Sequence, residues 1–389
     1  MHYPKRRICR QAIQHQDLQY EFPHPYLLFY SMNIRFEKSG MNFLSLLKKN
    51  VNAYFSEKQI SPFGNKELFL KTGILAFLLL GNYLFQLFLP GLHPGILITS
   101  YLFQGILFAL IGFNVMHDGS HFCYAKNSKL NAAMAHSLNF LGGISLFWHQ
   151  KHVVNHHTYT NIEGVDDDID LKPFLRVHEG QKRIWMHRFQ AFYAPALYSL
   201  TYLFWIYYRD FKKYFTGRVA EETELQRLKL SDHLIFWATK TGHVLFFIVI
   251  PALIAGPFQA IAGYLLLSLS CGITLAIVFQ LAHIVEGTDF PQRGNEEHYD
   301  IATEWSLHQI RTTANFCTGN RVMSWLLGGL NFQMVHHLFP RISHVHYPAI
   351  HRIICETCSS HNVPFVEFSS FRRAIFSHFR YLHRMGQPV

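Results

Sequence analysis

Residues 149–170 read HQKHVVNHHTYTNIEGVDDDID, and the rest of the chain can be interpreted around this stretch. Within it, His152, His156 and His157 form an H-x-x-x-H-H cluster. If the segment is helical, the four-residue step places His152 and His156 on one face of the helix. This spacing is typical of metal ligands, so the stretch predicts a metal site.

Two further histidine clusters flank this one. His117 and His121 lie upstream in HDGSH, and His336 and His337 lie far downstream in QMVHH. Neutral imidazole suits iron, copper, zinc and nickel, whereas magnesium and calcium prefer oxygen ligands. Some pairs will fall four residues apart by chance in a chain with 26 histidines. All three clusters together are much less readily explained by chance.

The number of imidazoles favours a site with two metal ions. The clusters supply seven imidazoles and contain no cysteine, which structural zinc usually recruits. Seven ligands also exceed what a single ion can take. We infer two irons, although the ligand type alone also allows zinc or copper.

The composition predicts a membrane protein, with 49% hydrophobic, 16% aromatic and only 15% charged residues. The formal net charge of +10 indicates a cytoplasmic surface and contact with lipid headgroups. No basic run interleaved with aromatic residues predicts nucleic-acid binding. The scattered cysteines fit a reduced compartment, and the single C-x-x-C at Cys355 and Cys358 is only a weak indication of metal or redox chemistry.

Apolar runs at about 72–90, 95–116, 238–256 and 258–281 predict membrane spans, because each approaches the roughly 20 residues that cross the hydrocarbon. Residues 191–208 are also apolar but rich in Tyr and Trp. A span there would put His336 on the wrong side of the membrane, so we predict a helix lying on the cytoplasmic surface. Residues 132–148 are predicted to be re-entrant or interfacial.

The predicted fold is therefore an all-α integral membrane protein with four transmembrane helices. A cytoplasmic helical cap is expected to hold the histidine-rich site. We predict an N-terminal extension at 1–40, a catalytic domain at 41–383 and a tail at 384–389. Because Met32 begins a stretch that looks like a natural start, the residues before it are expected to be an upstream extension of the reading frame.

The three histidine clusters and the residues around them resemble the membrane fatty acid desaturase family over most of residues 42–383. The matching strings are HDGSH, WHQKHVVNHHTYTNIEGVDDDI and NFQMVHHLFPRISHVHYP. Many family members begin the third cluster with histidine. Gln333 at that position resembles the front-end acyl desaturases and the linoleoyl-CoA desaturase-like bacterial members.

The resemblance implies a non-haem di-iron centre held mostly by histidine. The implied ligands are His117, His121, His152, His156, His157, His283, His336 and His337. His283, in QLAHIVEG after the last span, is accepted as a ligand only because of the resemblance. Relatives place a water-holding asparagine where this chain has Phe279, so Gln280 or another group would serve here.

Polar residues beside the ligands are expected to orient them. Asp118, Asp166 and Asp168 are expected to accept N–H bonds from ligand imidazoles, as ligating histidines require. Gln333 is expected to hydrogen bond behind the ligands, with weak binding to iron through its carbonyl as the alternative.

The function implied by the resemblance is an O2-dependent fatty acid desaturase that introduces a cis double bond. The cofactors would be two iron ions with O2 as co-substrate, and the substrate an acyl-CoA or an acyl-lipid. The string HPGI at residues 93–96 lies between spans and is not the H-P-G-G of a fused cytochrome b5. A separate ferredoxin or cytochrome b5 is therefore expected to supply electrons.

Two rival functions follow from the same residues. An acyl-lipid hydroxylase of the same superfamily would use the same metal site. A metal or haem transporter is disfavoured because the clustered histidines lie at span ends, outside the hydrocarbon. The expected location is the bacterial inner membrane, with the active site facing the cytoplasm.

Overall fold

The structure is a computed structural model that describes residues 34–37, 42–89, 91, 93–221, 223–291 and 299–388. Its α-helices, in chain order, are α1 Phe43–Lys58, α2 Lys66–Phe88, α3 Pro94–Ile111, α4 His117–Ser120, α5 Ser128–Ala135, α6 Ser137–Phe140, α7 Ser145–Trp148, α8 Gln190–Phe204, α9 Asp210–Thr216, α10 Leu230–Val244, α11 Ile250–Ala255, α12 Pro257–His283, α13 Trp305–Arg311, α14 Arg321–Leu326, α15 Gln333–Leu338, α16 Tyr347–Ser360 and α17 Phe371–Gly386.

Wider and tighter helical turns join several of these helices. The π-helical segments are Gly112–Met116, His149–His156, Trp205–Arg209 and Leu245–Val249, and the 3-10 turns are Trp185–Phe189 and His344–His346. The strands are β1 Ile34–Phe36, β2 Tyr299–Ile301, β3 Ala314–Phe316 and β4 Val366–Phe368. They form two small parallel sheets, β1 with β2 and β3 with β4.

Four helical runs among the described residues are long and apolar enough to cross a membrane. They are span one Lys66–Phe88, span two Pro94–Ser120, span three Leu230–Ala255 and span four Pro257–His283. Each overlaps one predicted apolar run, and the predicted all-α membrane fold with four spans is confirmed. Spans two and four extend beyond the predicted apolar runs. Span two ends within the first histidine cluster, and span four ends at His283.

Local sequence explains where these spans begin. The Asn65 side chain accepts hydrogen bonds from the backbone N–H groups of Glu67 and Leu68, and this caps span one. Proline occupies the first turn of spans two and four, where its missing N–H is not needed. Gly256, with φ 90°, separates span three from span four and allows the sharp reversal between them.

Glycines let span four pack closely against its neighbours. A Cβ at Gly105 of span two would lie 2.1 Å from the Leu267 carbonyl oxygen, and one at Gly272 would lie 2.3 Å from that of Ser199. A larger residue at either position would force the helices apart. Span four is therefore packed between span two and α8.

The segment predicted to lie on the membrane surface is helical. It comprises α8 and the π-helical segment that follows, and it is not among the four membrane-length helices of the described residues. Phe192, Leu200 and Phe204 are exposed along it, whereas Tyr198 and Tyr202 are buried. Its interfacial position stays a prediction. Residues 132–148, also predicted to be interfacial, contribute to the short helices α5, α6 and α7.

One short strand lies within the predicted N-terminal extension at residues 1–40. Residues 34–36 form β1, which pairs in parallel with β2 more than 260 residues later, joining Ile34 to Tyr299 and Phe36 to Ile301. A strand this short is stabilised by a distant partner, which no local pattern reveals. Met32 and the residues before it lie outside the described residues.

Candidate metal centre

The predicted histidine ligands meet in one buried place. None of these residues is more than 7% exposed, although they come from distant parts of the chain. They are His117, His121, His152, His156, His157, His283, His336 and His337. Folding therefore brings together the end of span two, the end of span four, the helix after α7 and the short helix α15.

The central cluster is helical, and His152 and His156 lie on a π-helical segment that His157 directly follows. The π-helical segment His149–His156 still places the His152 and His156 rings together, with centroids 5.0 Å apart and ring planes 21° apart. The wider turn re-aims these side chains relative to an α-helix. Wide turns of this kind are frequent at functional sites.

The ligand atoms fall into two groups, each of a size that could hold a metal ion. One group is His117, His121, His152 and His336, and the other is His156, His283 and His337. Within each group all ligand atoms lie within 4.8 Å of one another. His157 forms a third such group with His336 and His337. It therefore lies between the two larger groups.

Histidine nitrogen atoms without hydrogen-bond partners indicate whether the site is suited to metal ions. The buried Nε2 atoms of seven of the eight histidines have no hydrogen-bond partner among the described residues: His117, His121, His152, His156, His157, His336 and His337. A buried polar atom without a partner costs about 1–3 kcal/mol. Seven such atoms aimed at shared points fit metal coordination, which would satisfy each of them.

The protonation state of the site suits metal binding. Burial, reinforced by the neighbouring imidazoles, lowers the pKa of His121, His157, His336 and His337 well below its ordinary value. Burial also lowers the pKa of His152 to about 4. These rings are neutral at pH 7, and neutral imidazole is the form that binds a metal.

Asp166 and Asp168 contact ligand imidazoles. His156 Nδ1 donates to Asp166 Oδ2 at 2.8 Å, and His152 Nδ1 donates to Asp168 Oδ2 at 2.9 Å. Each bond fixes the hydrogen on Nδ1 and leaves Nε2 free to face the site. Burial alone would lower the pKa of His156, but the Asp166 carboxylate raises it above the ordinary value.

Lys151 supports the second of these carboxylates. It forms an ion pair with Asp168, whose other oxygen accepts from His152. Burial opposes ionisation of the carboxyl group, but the charge of Lys151 and the bond from His152 hold the pKa of Asp168 well below its usual range. Asp168 is thus ionised, and its charge is balanced by that of Lys151.

Asp118 corrects one expectation, because its partner is not a predicted ligand. Its Oδ2 accepts from Ser343 Oγ at 2.7 Å and lies 3.0 Å from His344 Nδ1. Adjacent residues on a helix point in different directions, so His117 turns toward the centre and Asp118 turns toward His344. Asp118 therefore anchors the turn that follows the third cluster.

Gln333 and Gln280 both place amide oxygens in buried positions. Gln333 Nε2 donates to the Leu330 carbonyl oxygen at 2.8 Å. The Oε1 atoms of both glutamines have no hydrogen-bond partner within the described part of the chain. Phe279 packs its ring 5.3 Å from that of His156 and 5.0 Å from that of His283. Phe279 therefore forms an apolar wall beside two of the predicted ligands.

Three partners of the ligands are not predicted from the sequence. Gln309 Oε1 accepts from His337 Nδ1 at 2.9 Å, and the Thr312 carbonyl oxygen lies 3.2 Å from His283 Nδ1. The Tyr347 hydroxyl lies 3.2 Å from His336 Nδ1. They come from α13, the turn after it and the start of α16, where Tyr347 lies eleven residues beyond His336.

Comparison with known proteins explains this arrangement. The family model described as fatty acid desaturase matches residues 90–369. The chain belongs to the fatty acid desaturase family. This desaturase is accordingly an oxidoreductase of lipid metabolism, and its four spans make it an integral membrane protein.

Several curated desaturases align with this one along most of their length. It is 33% identical to an sn-1 linoleoyl-lipid 6-desaturase of Synechocystis sp., over 89% of this chain and 96% of the relative. It is 32% identical to an acyl-lipid (8-3)-desaturase of Physcomitrium patens, over 89% of this chain and 72% of the relative. An sn-1 linoleoyl-lipid 6-desaturase of Arthrospira platensis is 31% identical, over 91% and 95% of the two chains.

Proposed function

We propose that this desaturase introduces a cis double bond into the acyl chain of a lipid, with O2 as co-substrate and two non-haem iron ions as cofactor. The two groups of buried histidines carry the proposal, because every member except His283 has an Nε2 atom without a hydrogen-bond partner among the described residues. His117, His121, His152 and His336 would hold one iron, and His156, His283 and His337 the other. His157 lies where it could serve either ion. When bound, the iron pair would activate O2, which is the oxidant for the removal of hydrogen from unactivated methylene groups.

The protein's own contribution is orientation and the exclusion of water. Asp166 and Asp168 hold their imidazoles in the tautomer that presents Nε2. Trp148 stacks on His152 at a centroid distance of 4.4 Å, and Phe279 packs on His156. These rings give the centre apolar walls against which an acyl chain can lie. Holding the reacting carbons in one position is what sets the site of the double bond.

The substrate class is proposed from the relatives. All three relatives named above are acyl-lipid or linoleoyl-lipid desaturases. Their alignments extend over about nine-tenths of this chain. We therefore propose an acyl chain esterified in a membrane lipid, in preference to acyl-CoA.

A separate ferredoxin or cytochrome b5 is the proposed source of electrons. Helix α17 exposes four arginines that would attract an acidic donor: Arg372, Arg373, Arg380 and Arg384. The same helix contacts the end of span four, because His378 Nδ1 donates to the Ile284 carbonyl oxygen at 2.6 Å. Ile284 directly follows His283. A donor on α17 would thus lie close to one group of ligands.

The proposed location is the bacterial inner membrane, with the histidine centre on the cytoplasmic side. The support is the excess of basic residues, since cytoplasmic segments of membrane proteins are enriched in Lys and Arg. Electron donors and reducing conditions are found in the same compartment. Protease accessibility of α17 in sealed inside-out vesicles would test this orientation.

Fatty acid analysis of an expressing host tests the function. Gas chromatography with mass spectrometry should show a new unsaturated chain with the wild type and none with the double variant His156→Ala, His157→Ala. The control is His93→Ala, which removes an exposed imidazole between spans one and two. Hydroxy fatty acids would indicate a hydroxylase instead. An unchanged profile from iron-loaded protein supplied with a donor would refute the acyl-lipid proposal.

A further inference from the structure

A second group of potential metal ligands lies outside the histidine centre. His351 and Cys355 are one turn apart on α16, and Glu367 is the middle residue of β4. His351 Nε2 lies 3.4 Å from Cys355 Sγ and 2.9 Å from Glu367 Oε2. The three ligand atoms all lie within 4.8 Å of one another. Imidazole, thiol and carboxylate therefore converge on one point.

Hydrogen bonds alone do not account well for the close approach of these three side chains. A hydrogen on His351 Nε2 can be directed well at only one of the two acceptors it faces. The Asn315 side-chain nitrogen, itself a donor, lies 3.4 Å from the same His351 atom. A cation at the shared point would be attracted to the nitrogen, the sulfur and the carboxylate at once.

The chemistry of the three groups selects the metal. Magnesium and calcium take oxygen ligands, whereas imidazole with thiolate is typical of zinc. We propose that His351, Cys355 and Glu367 bind a zinc ion, with water as the fourth ligand, which is the usual arrangement where three protein groups coordinate zinc. The His351 and Glu367 side chains are 11% and 28% exposed, so an ion can reach them from the surface. This proposal does not depend on the proposed function.

The position of the group suggests what zinc would do. Asn315, beside His351, accepts the backbone N–H of Met334 at 3.1 Å. Met334 lies in α15, which carries the third histidine cluster, and the Phe332 ring is 5.2 Å from that of His351. A zinc ion joining α16 to β4 would hold the segment behind His336 and His337 in place. We expect zinc to raise the temperature of unfolding of the full-length protein.

Cobalt absorption is a direct test, because the eight predicted ligands of the histidine centre are all imidazoles and its groups contain no thiol among the described residues. Chelator-treated, full-length protein in detergent should develop a sulfur-to-cobalt charge-transfer band on titration with Co2+, and equimolar Zn2+ should abolish it. Cys355→Ser should lose the band. Cys358→Ser is the matched control, since Cys358 lies on the same helix outside the ligand group, and it should keep the band. A wild type without the band, or a Cys355→Ser variant that retains it, would overturn the proposal.

Alkylation can be measured on the wild-type protein with and without zinc, so its result does not depend on whether a variant folds. Peptide-resolved mass spectrometry would follow the reaction of Cys355 with iodoacetamide. Zn2+ should slow this reaction at least tenfold and Mg2+ should not, and His351→Ala should abolish the protection. Equal rates with and without Zn2+ would refute the site. Neither measurement uses fatty acid turnover, so failure here is distinguishable from failure of the proposed desaturation.

Discussion

Replacing Asp166 by asparagine should weaken metal binding while preserving the shape of the side chain. Asp166 is fully buried and accepts three hydrogen bonds. Oδ2 accepts from His156 Nδ1 at 2.8 Å and from Asn161 N at 2.9 Å, and Oδ1 accepts from Asp168 N at 3.0 Å. In asparagine one of these oxygens becomes an NH2 donor, so at least one N–H loses its acceptor. The negative charge that supports His156 is also lost.

The size of the effect follows from the bond to His156. A hydrogen bond to a charged group contributes about 1.5–3 kcal/mol. With about 1.36 kcal/mol per factor of ten, this corresponds to a loss of roughly 10- to 150-fold. Removing an outer partner of a metal-binding histidine typically costs about 10- to 100-fold in affinity or activity, which is the same range. We expect a loss of this order for Asp166→Asn.

The assay is iron retained per chain during dialysis against graded chelator, with fatty acid products measured in parallel. Asp170→Asn is the matched control, because Asp170 belongs to the same acidic run but accepts from Lys172 N at 3.3 Å and is 30% exposed. It should behave like the wild type. If Asp166→Asn holds iron as tightly as the wild type, the orienting role of Asp166 is wrong. Equal iron loss in both variants would mean that the acidic run acts only through its total charge.

Three further predictions follow from the same contacts. Iron affinity of the metal-free protein should fall about tenfold per pH unit below the raised pKa of His156, because metal must displace its proton. In the metal-free protein, the ion pair between protonated His156 and Asp166 stabilises the fold. This stabilisation is fully present below the pKa that histidine has in the unfolded chain, and it is lost as the pH rises through the higher pKa of His156 in the folded protein. His152, with a pKa of about 4, should add a second proton only near that pH. A chelator competition series would measure the slope, and a flat profile below neutral pH would contradict the assignment. Tyr347→Phe should lower product yield about tenfold and destabilise the protein by no more than about 1–3 kcal/mol, because His336 Nδ1 loses its partner while packing is kept. A wild-type yield would show that this contact is unimportant. Asn161→Ala should destabilise the protein by about 2–4 kcal/mol, because the Asn161 amide contacts three backbone carbonyl oxygens. Asn161→Gly should destabilise it by less, because glycine tolerates the φ of 60° at this position. Denaturant unfolding measures both losses, and equal losses would show that the positive φ contributes nothing to the effect of the alanine variant.

The sequence alone determined the architecture and the family of this protein. Apolar runs predict spans because crossing a bilayer demands about 20 consecutive apolar residues whatever the remaining chain does. All four predicted runs coincide with membrane-length helices. The histidine strings are equally local, since each cluster occupies a few consecutive residues. The contacts of His152 and His156 with Asp168 and Asp166 also arise within one short segment.

Only the tertiary structure decided how these pieces combine. The division of the ligands into two groups depends on where spans two and four end relative to α15, which no sequence spacing records. Asp118 follows a predicted ligand yet bonds to Ser343, and the partner of His337 is Gln309 on α13. Strand β1 likewise exists only because β2 lies beside it. Periodicity along a helix is set by neighbouring residues, whereas these partners are set by the packing of separate segments, from 28 residues apart for Gln309 and His337 to 225 for Asp118 and Ser343.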